Sequence, residues 1–156
     1  MKKFIIIGII CLVIDQLLKL LVLNNLILNI SNEIIPSFFS LTYVQNEGAA
    51  FSILSGNRIF LILITLFALI FIYLFLIKKD IDKGINSTIY GVLYGGIVGN
   101  LIDRLLRGYV IDYLDFNIFG YNFPIFNFAD ICIVISIILV IILSIFRGKD
   151  NENNCN

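Results

Sequence analysis

The hydrophobic pattern divides the chain into four long apolar blocks, at 4–23, 59–77, 85–106 and 124–146. A helix needs about 20 mostly apolar residues to cross a hydrocarbon core about 30 Å thick, and each block meets that length. Helices satisfy their own backbone without water, so they are the economical spanning form here. The expected fold class is an all-α integral membrane protein, one membrane domain over 1–156 with four transmembrane helices. The connection 24–57 breaks the pattern. Phe39, Leu41 and Tyr43 alternate with Ser40, Thr42 and Val44, which predicts a strand. Asn46-Glu47-Gly48 reads as a turn, with 50–54 returning antiparallel. The connection 107–123 holds the start of a shorter hairpin over 116–126, turning near Gly120. Together these segments predict a small β-sheet on the outer membrane–water interface. The polar tail 148–156 is expected to be disordered.

Loop charge orients the blocks. Lys2 and Lys3, then Lys78, Lys79 and Lys83, then Arg147 and Lys149 all fall on one side of a four-span chain. The other side carries Arg58, Arg107 and, at a helix end, Arg104, with no Lys in its loops. Both termini are therefore expected to be cytoplasmic, with the two longer connections facing outward. This orientation collects polar groups at one depth. Asp15 and Lys19 lie in the outer half of the first span, and Asn100, Asp103 and Arg104 near the outer end of the third. Asn127 and Asp130 open the fourth, and Asp112 lies in the connection between them.

Composition narrows the chemistry. The chain is 60% hydrophobic, above the roughly half usual in a soluble domain. Eleven basic residues balance eleven acidic ones, so no basic field recruits nucleic acid. The absence of His removes His-based triads and H-E-x-x-H zinc sites. Cys11 and Cys132 lie in apolar runs and Cys155 in the tail, a spacing that fits neither a disulfide framework nor a metal site. No metal and no cofactor are expected. The start, Lys2-Lys3 and an apolar run to Cys11, has the outline of a cleavable leader. A cleavage site needs small residues before the cut, whereas Ile10 precedes Cys11 and the run continues to Leu23. It reads as a retained span.

An acid at membrane depth is expensive and marks a functional site by default. Each polar group also has a plainer reading. Asp15 and Lys19, four apart, share a helix face; they brace a site, or neutralise each other with Lys19 reaching outward. Asn100, Asp103 and Arg104 share a face above Gly91, Gly95 and Gly99, a stack of small residues suited to close helix packing; they serve the site, or form an Asp–Arg pair beside a packing seam. Asn127 and Asp130 have the spacing of a helix cap with an acid three residues on. Asp112, in a segment where aromatics flank both it and Asp115, is a site residue, or the segment is interfacial with its acids in water. Two facing carboxylates can do what neither does alone. They cannot both ionise cheaply, so one holds a proton, the ionised partner takes a proton from water, and the neutral partner protonates a carbonyl. A Ser–Lys dyad would need Ser40, Ser52 or Ser55 within reach of Lys19, and none has a recognisable setting.

Five motifs follow one another: Asp15-Gln16 with Lys19; Asn46-Glu47-Gly48-Ala49-Ala50-Phe51; Gly99-Asn100-Leu101-Ile102-Asp103-Arg104; Val110-Ile111-Asp112-Tyr113; and Phe126-Asn127-Phe128-Ala129-Asp130. In that order, across nearly the whole chain, they resemble the lipoprotein signal peptidase (signal peptidase II) family. Leu18, Tyr113 and Ile131 depart from the commoner residues, a hydroxyl residue, Phe and Ser respectively.

The resemblance implies an intramembrane aspartyl endopeptidase of the bacterial plasma membrane. It implies cleavage of diacylglyceryl-modified prolipoproteins just before the lipidated lipobox Cys, by a monomer in contact with membrane lipid. Asp112 and Asp130 match the family's catalytic pair. Asn46, Gly48, Asn100, Arg104 and Asn127 match positions that contact substrate or shape the pocket, and Asp15, Lys19 and Asp103 match supporting ones. Two other classes remain beside it. A cation-coupled transporter would want polar residues at several depths, and the inner halves of the spans lack charge. A structural subunit would leave Asp112 and Asp130 without a joint purpose.

Overall fold

The computed structural model describes residues 1–48, 54–78 and 85–153. Along the chain these form α1 (Lys2–Asn25), β1 (Ser31–Ile35), β2 (Phe39–Asn46) and α2 (Arg58–Ile72), which continues as a π-helical turn, Tyr73–Ile77. Then come α3 (Ile85–Leu106), β3 (Val110–Ile118), β4 (Tyr121–Asn122) and α4 (Phe128–Asn153).

Among the described residues, three helices are long and apolar enough to cross a membrane: α1, the stretch Arg58–Phe75, and α4 over Phe128–Phe146. They turn Ile, Leu and Phe side chains outward, and only 6% of the α2 stretch is buried. Such a surface suits acyl chains and would be costly in water. α3 differs, because 12 of its 22 residues are buried. It packs chiefly against α1 and α4, with a smaller contact on α2. A helix surrounded by protein can carry Asn86, Ser87, Asn100 and Asp103 on buried positions, so its composition does not reach the apolarity of the other three. The sequence pattern weighed all four blocks alike and could not see this division.

Small residues bring the helices to α3. A Cβ on Gly95 would lie 2.6 Å from the backbone oxygen of Gly8 and 2.7 Å from Cβ of Cys11, both on α1. Neither neighbour is a flexible side-chain end. Gly95→Ala is therefore expected to push α1 off α3 and to cost about 1–3 kcal/mol of stability, seen as a lower unfolding temperature in mild detergent. An unchanged transition would mean that the seam yields freely.

α3 stops where the chain must turn outward. Gly108 takes a left-handed φ of +94°, and the Arg107 and Gly108 N–H groups donate to the Asp103 carbonyl at 2.8 and 3.2 Å. Arg58, at the start of α2, donates to the Arg104 and Leu105 carbonyls, both at 2.8 Å. Three of the last four carbonyls of α3 are thereby satisfied.

The strands form one antiparallel sheet in the order β1-β2-β3-β4. β2 covers the alternating segment. β1 had no signal to read, because all five of its residues are exposed. The return strand expected over 50–54 lies outside the described residues except for Leu54; within them β2 pairs with β1 and β3. The β3–β4 hairpin turns at Phe119 and Gly120, with φ of +52° and +86°. Two consecutive left-handed residues match the twist of a two-residue hairpin. Between Leu41↔Leu114 and Val44↔Asp112 the register shifts, a bulge that buries both Thr42 and Tyr43. Val22, Tyr43, Ile111 and Tyr113 form a core that seats the sheet on the end of α1. Beyond 148 the expected disorder gives way to helix, since α4 continues to Asn153. Once a helix is nucleated, each further turn is inexpensive, and no proline interrupts this one.

Candidate active site

The site forms where the C-terminal half of α1, the end of α3, the start of α4 and strands β2 and β3 meet. The N-terminus of α4 organises it. The first N–H groups of any helix lack partners within it, and here each finds one. Phe128 N–H donates to the Tyr113 hydroxyl (3.3 Å), Ala129 N–H to Oδ1 of Asp15 (3.1 Å), and Asp130 N–H to Oδ1 of Asn127 (3.0 Å). Oδ2 of Asp130 in turn accepts the Asn127 N–H at 3.1 Å. This is a reciprocal capping box, so the capping and site readings of Asn127 and Asp130 are the same arrangement.

Asp112 comes to this helix start through β3. Leu114 pairs with Phe126 in both directions, at 2.8 and 3.2 Å, and that bridge sets Asp112 beside Asn127. Nδ2 of Asn127 donates to Oδ1 of Asp112 at 2.7 Å. Asn127 thus touches both carboxylates, Asp112 through its side-chain amide and Asp130 through its backbone. Oδ2 of Asp112 accepts Nδ2 of Asn46 at 2.9 Å, while Oδ1 of Asn46 accepts the Gly48 N–H at 2.9 Å. Oδ1 of Asp130 accepts Nδ2 of Asn100 at 2.7 Å.

Behind the two acids lies a buried ionic cluster. The Lys19 ammonium is fully buried, 2.9 Å from Oδ2 of Asp15 and 2.8 Å from Oδ2 of Asp103, and donates to Oδ1 of Asn100 at 2.8 Å. It does not reach outward. Asp103 pairs with Lys19 and Arg107 rather than with Arg104. Arg104 points the other way, with Nη2 donating to the Gly48 carbonyl at 2.9 Å. Its buried Nε has no partner among the described residues.

Ten residues singled out from the sequence therefore lie in one connected network: Asp15, Lys19, Asn46, Gly48, Asn100, Asp103, Arg104, Asp112, Asn127 and Asp130. Sequence reasoning missed two members. Gln16 Nε2 donates to Asp15 (3.1 Å) and Asp103 (3.2 Å), and Arg107 joins Asp103 to Gln16. The i, i+4 spacing of Asp103 and Arg107 could have revealed the second. Asp115 accepts the Thr42 hydroxyl at 2.7 Å and stays outside the network.

Burial, and then the charge of Asp130, push the Asp112 carboxyl up to about 7. Burial raises the Tyr113 phenol as well, so it stays a neutral hydroxyl. The folded chain holds the Asp112 proton up to about pH 7, whereas an unfolded Asp releases it near 4, at about its model value. Between those limits the folded state binds more protons, so this contribution to stability falls as pH rises. Asp112→Asn removes it. The unfolding temperature of that variant is expected to gain on the parent from about pH 4 to 7 and to level off above. A constant difference across that range would refute the shift.

A family model described as Signal peptidase (SPase) II matches residues 7–146. The lipoprotein signal peptidase of Staphylococcus aureus (strain JH9) is 40% identical over 149 residues, covering 96% of this chain and 90% of the relative. A bacterial membrane enzyme solved by the in meso method at 2.3 Å resolution superposes with a TM-score of 0.86 at 38% identity, covering 97% of this chain and 92% of that one. A second such enzyme, solved at 1.9 Å, superposes with a TM-score of 0.81 at 39% identity, covering 92% of each chain. With motifs, fold and relatives agreeing over nearly its whole length, this chain belongs to the signal peptidase II family and is a membrane-bound aspartic-type protease.

Proposed function

We propose that this chain removes signal peptides from diacylglyceryl-modified prolipoproteins, cutting just before the lipidated lipobox cysteine with a water activated by Asp112 and Asp130. The observation that carries the reading is Asn127, whose amide and backbone N–H engage one carboxylate each. That common partner joins the buried Asp112 to the partly exposed Asp130, and neither has a salt-bridge partner among the described residues. The ionised acid takes a proton from water as the oxygen attacks the scissile carbonyl. The neutral acid gives its proton to the carbonyl oxygen, and a proton then passes to the departing amine. Low dielectric around the pair strengthens each of these interactions. Arg104, with a buried Nε directed to no protein acceptor described here, suits a substrate carbonyl.

The same reading places the chain in the bacterial plasma membrane with both termini cytoplasmic and the site near the outer surface. α3 serves as a span beside the other three, shielded from lipid by its neighbours. The lysine-rich ends and the opposite placement of Arg58 and Arg107 support that orientation. Substrate and its acyl chains reach the site from the surrounding lipid, and the monomer suffices.

The test is the purified chain in proteoliposomes with one diacylglyceryl-modified precursor, and the same precursor with its lipobox Cys replaced by Ser. Release of the signal peptide from the first alone is expected. Equal cleavage of both, or of neither, would end the proposal.

A further inference from the structure

We infer that Lys19 and Asn100 are positioning residues that hold Asp130 as the ionised member of the acid pair and leave the shared proton on Asp112. This rests on the reading of Asp112 and Asp130 as a working pair, and it adds a direction that the pair alone does not have.

The argument begins with what each group can do. An ammonium only donates. Lys19 donates to Oδ1 of Asn100 at 2.8 Å, which fixes the way that amide faces. Its Nδ2 must then point at Asp130, where it lies 2.7 Å from Oδ1. The other oxygen, Oδ2, accepts the Asn127 N–H, a backbone donor that cannot be reversed. Asp130 also sits in the first turn of α4, where the helix favours negative charge. Asp112 accepts two amides as well, from Asn46 and Asn127, but each of these is anchored only by a backbone N–H, those of Gly48 and Asp130. Among the described residues, only the relay to Asp130 ends in a cation.

The charged and titratable groups around the pair agree. From α1, Lys19 and Asp15 face it, with Lys19 held between Asp15 and Asp103. From α3, the field of Arg104 reaches both acids, and Asp103 lies behind Lys19. From β3, Asp112 lies beside Tyr113, whose phenol stays neutral. β2 presents the uncharged Asn46. Burial together with the Asp130 charge favours the protonated form of Asp112.

Infrared spectroscopy of the protein in liposomes tests this without substrate. At about pH 6, a protonated-carboxyl stretch is expected in the parent and in Asp130→Asn, and is expected to vanish in Asp112→Asn. A band that survives in Asp112→Asn and vanishes in Asp130→Asn would overturn the assignment.

The relay is tested by kcat against pH. Asn100→Ala keeps the Lys19 pairs with Asp15 and Asp103, so folding is preserved. It should move the acid limb up by about one pH unit and leave the alkaline limb in place. Asn46→Ala should move the alkaline limb up instead. Exchanged limbs, or rates that fall with both limbs fixed, would overturn the proposal. If the infrared result holds but no precursor is cut, the functional reading above has failed and this one stands.

Discussion

Replacing either Asp112 or Asp130 with Asn is expected to lower precursor cleavage by at least about 10³-fold while the chain still folds and inserts. Asn keeps the shape of Asp and one acceptor oxygen, but it can neither take a proton from water nor give one to a carbonyl. Each replaced acid accepts two N–H donors, and Asn satisfies only one of them, at a cost of about 1–3 kcal/mol. That loss is too small to unfold most stable domains. Because the two acids act as a unit, the double variant should be no slower than either single one. The measurement is single-turnover release of signal peptide beside a thermal unfolding curve for each variant. Near-parental cleavage by either Asn variant would remove the pair from the chemistry. A multiplicative loss in the double variant would mean two independent roles.

Lys19→Met should give the largest loss of stability among single substitutions in the network. The ammonium is fully buried between two fully buried carboxylates, those of Asp15 and Asp103. Met approximates its length but leaves both acids without their common cation. Arg107 and Gln16 remain on Asp103, while among the described residues Asp15 keeps only Gln16 and the Ala129 N–H. Removing one partner of a buried pair typically costs about 3–5 kcal/mol. Asp15→Asn added to Lys19→Met removes one stranded charge, so the double variant should be more stable than the sum of the two single losses predicts. Denaturant titration in mild detergent would measure all three. A Lys19→Met loss below about 1 kcal/mol would mean that water reaches the cluster, contrary to its burial.

Several features were legible in the sequence because they depend on local order. Hydropathy marked the helices, since a bilayer-crossing segment must be apolar over its own length. Alternation at Phe39, Leu41 and Tyr43 marked β2, and Gly120 marked the hairpin turn. Spacing placed Asp15 with Lys19 and Asn127 with Asp130, because helix geometry brings residues three or four apart together. The motif order identified the family. β1 left no trace, since fully exposed strand residues carry no burial pattern.

By itself, then, the sequence determined where the helices lie, which acids are too costly to be idle, and which family the chain resembles. It did not determine which partner each of those acids would take. Lys19 reaches Asp103 as well as Asp15, Arg104 turns from Asp103 to Gly48, and Asp112 meets Asn127 because Leu114 pairs with Phe126. Those contacts join residues from different elements, and they follow from glycine-mediated helix approach and strand register. Chain spacing encodes neither, because only packing in three dimensions brings such groups within hydrogen-bond range.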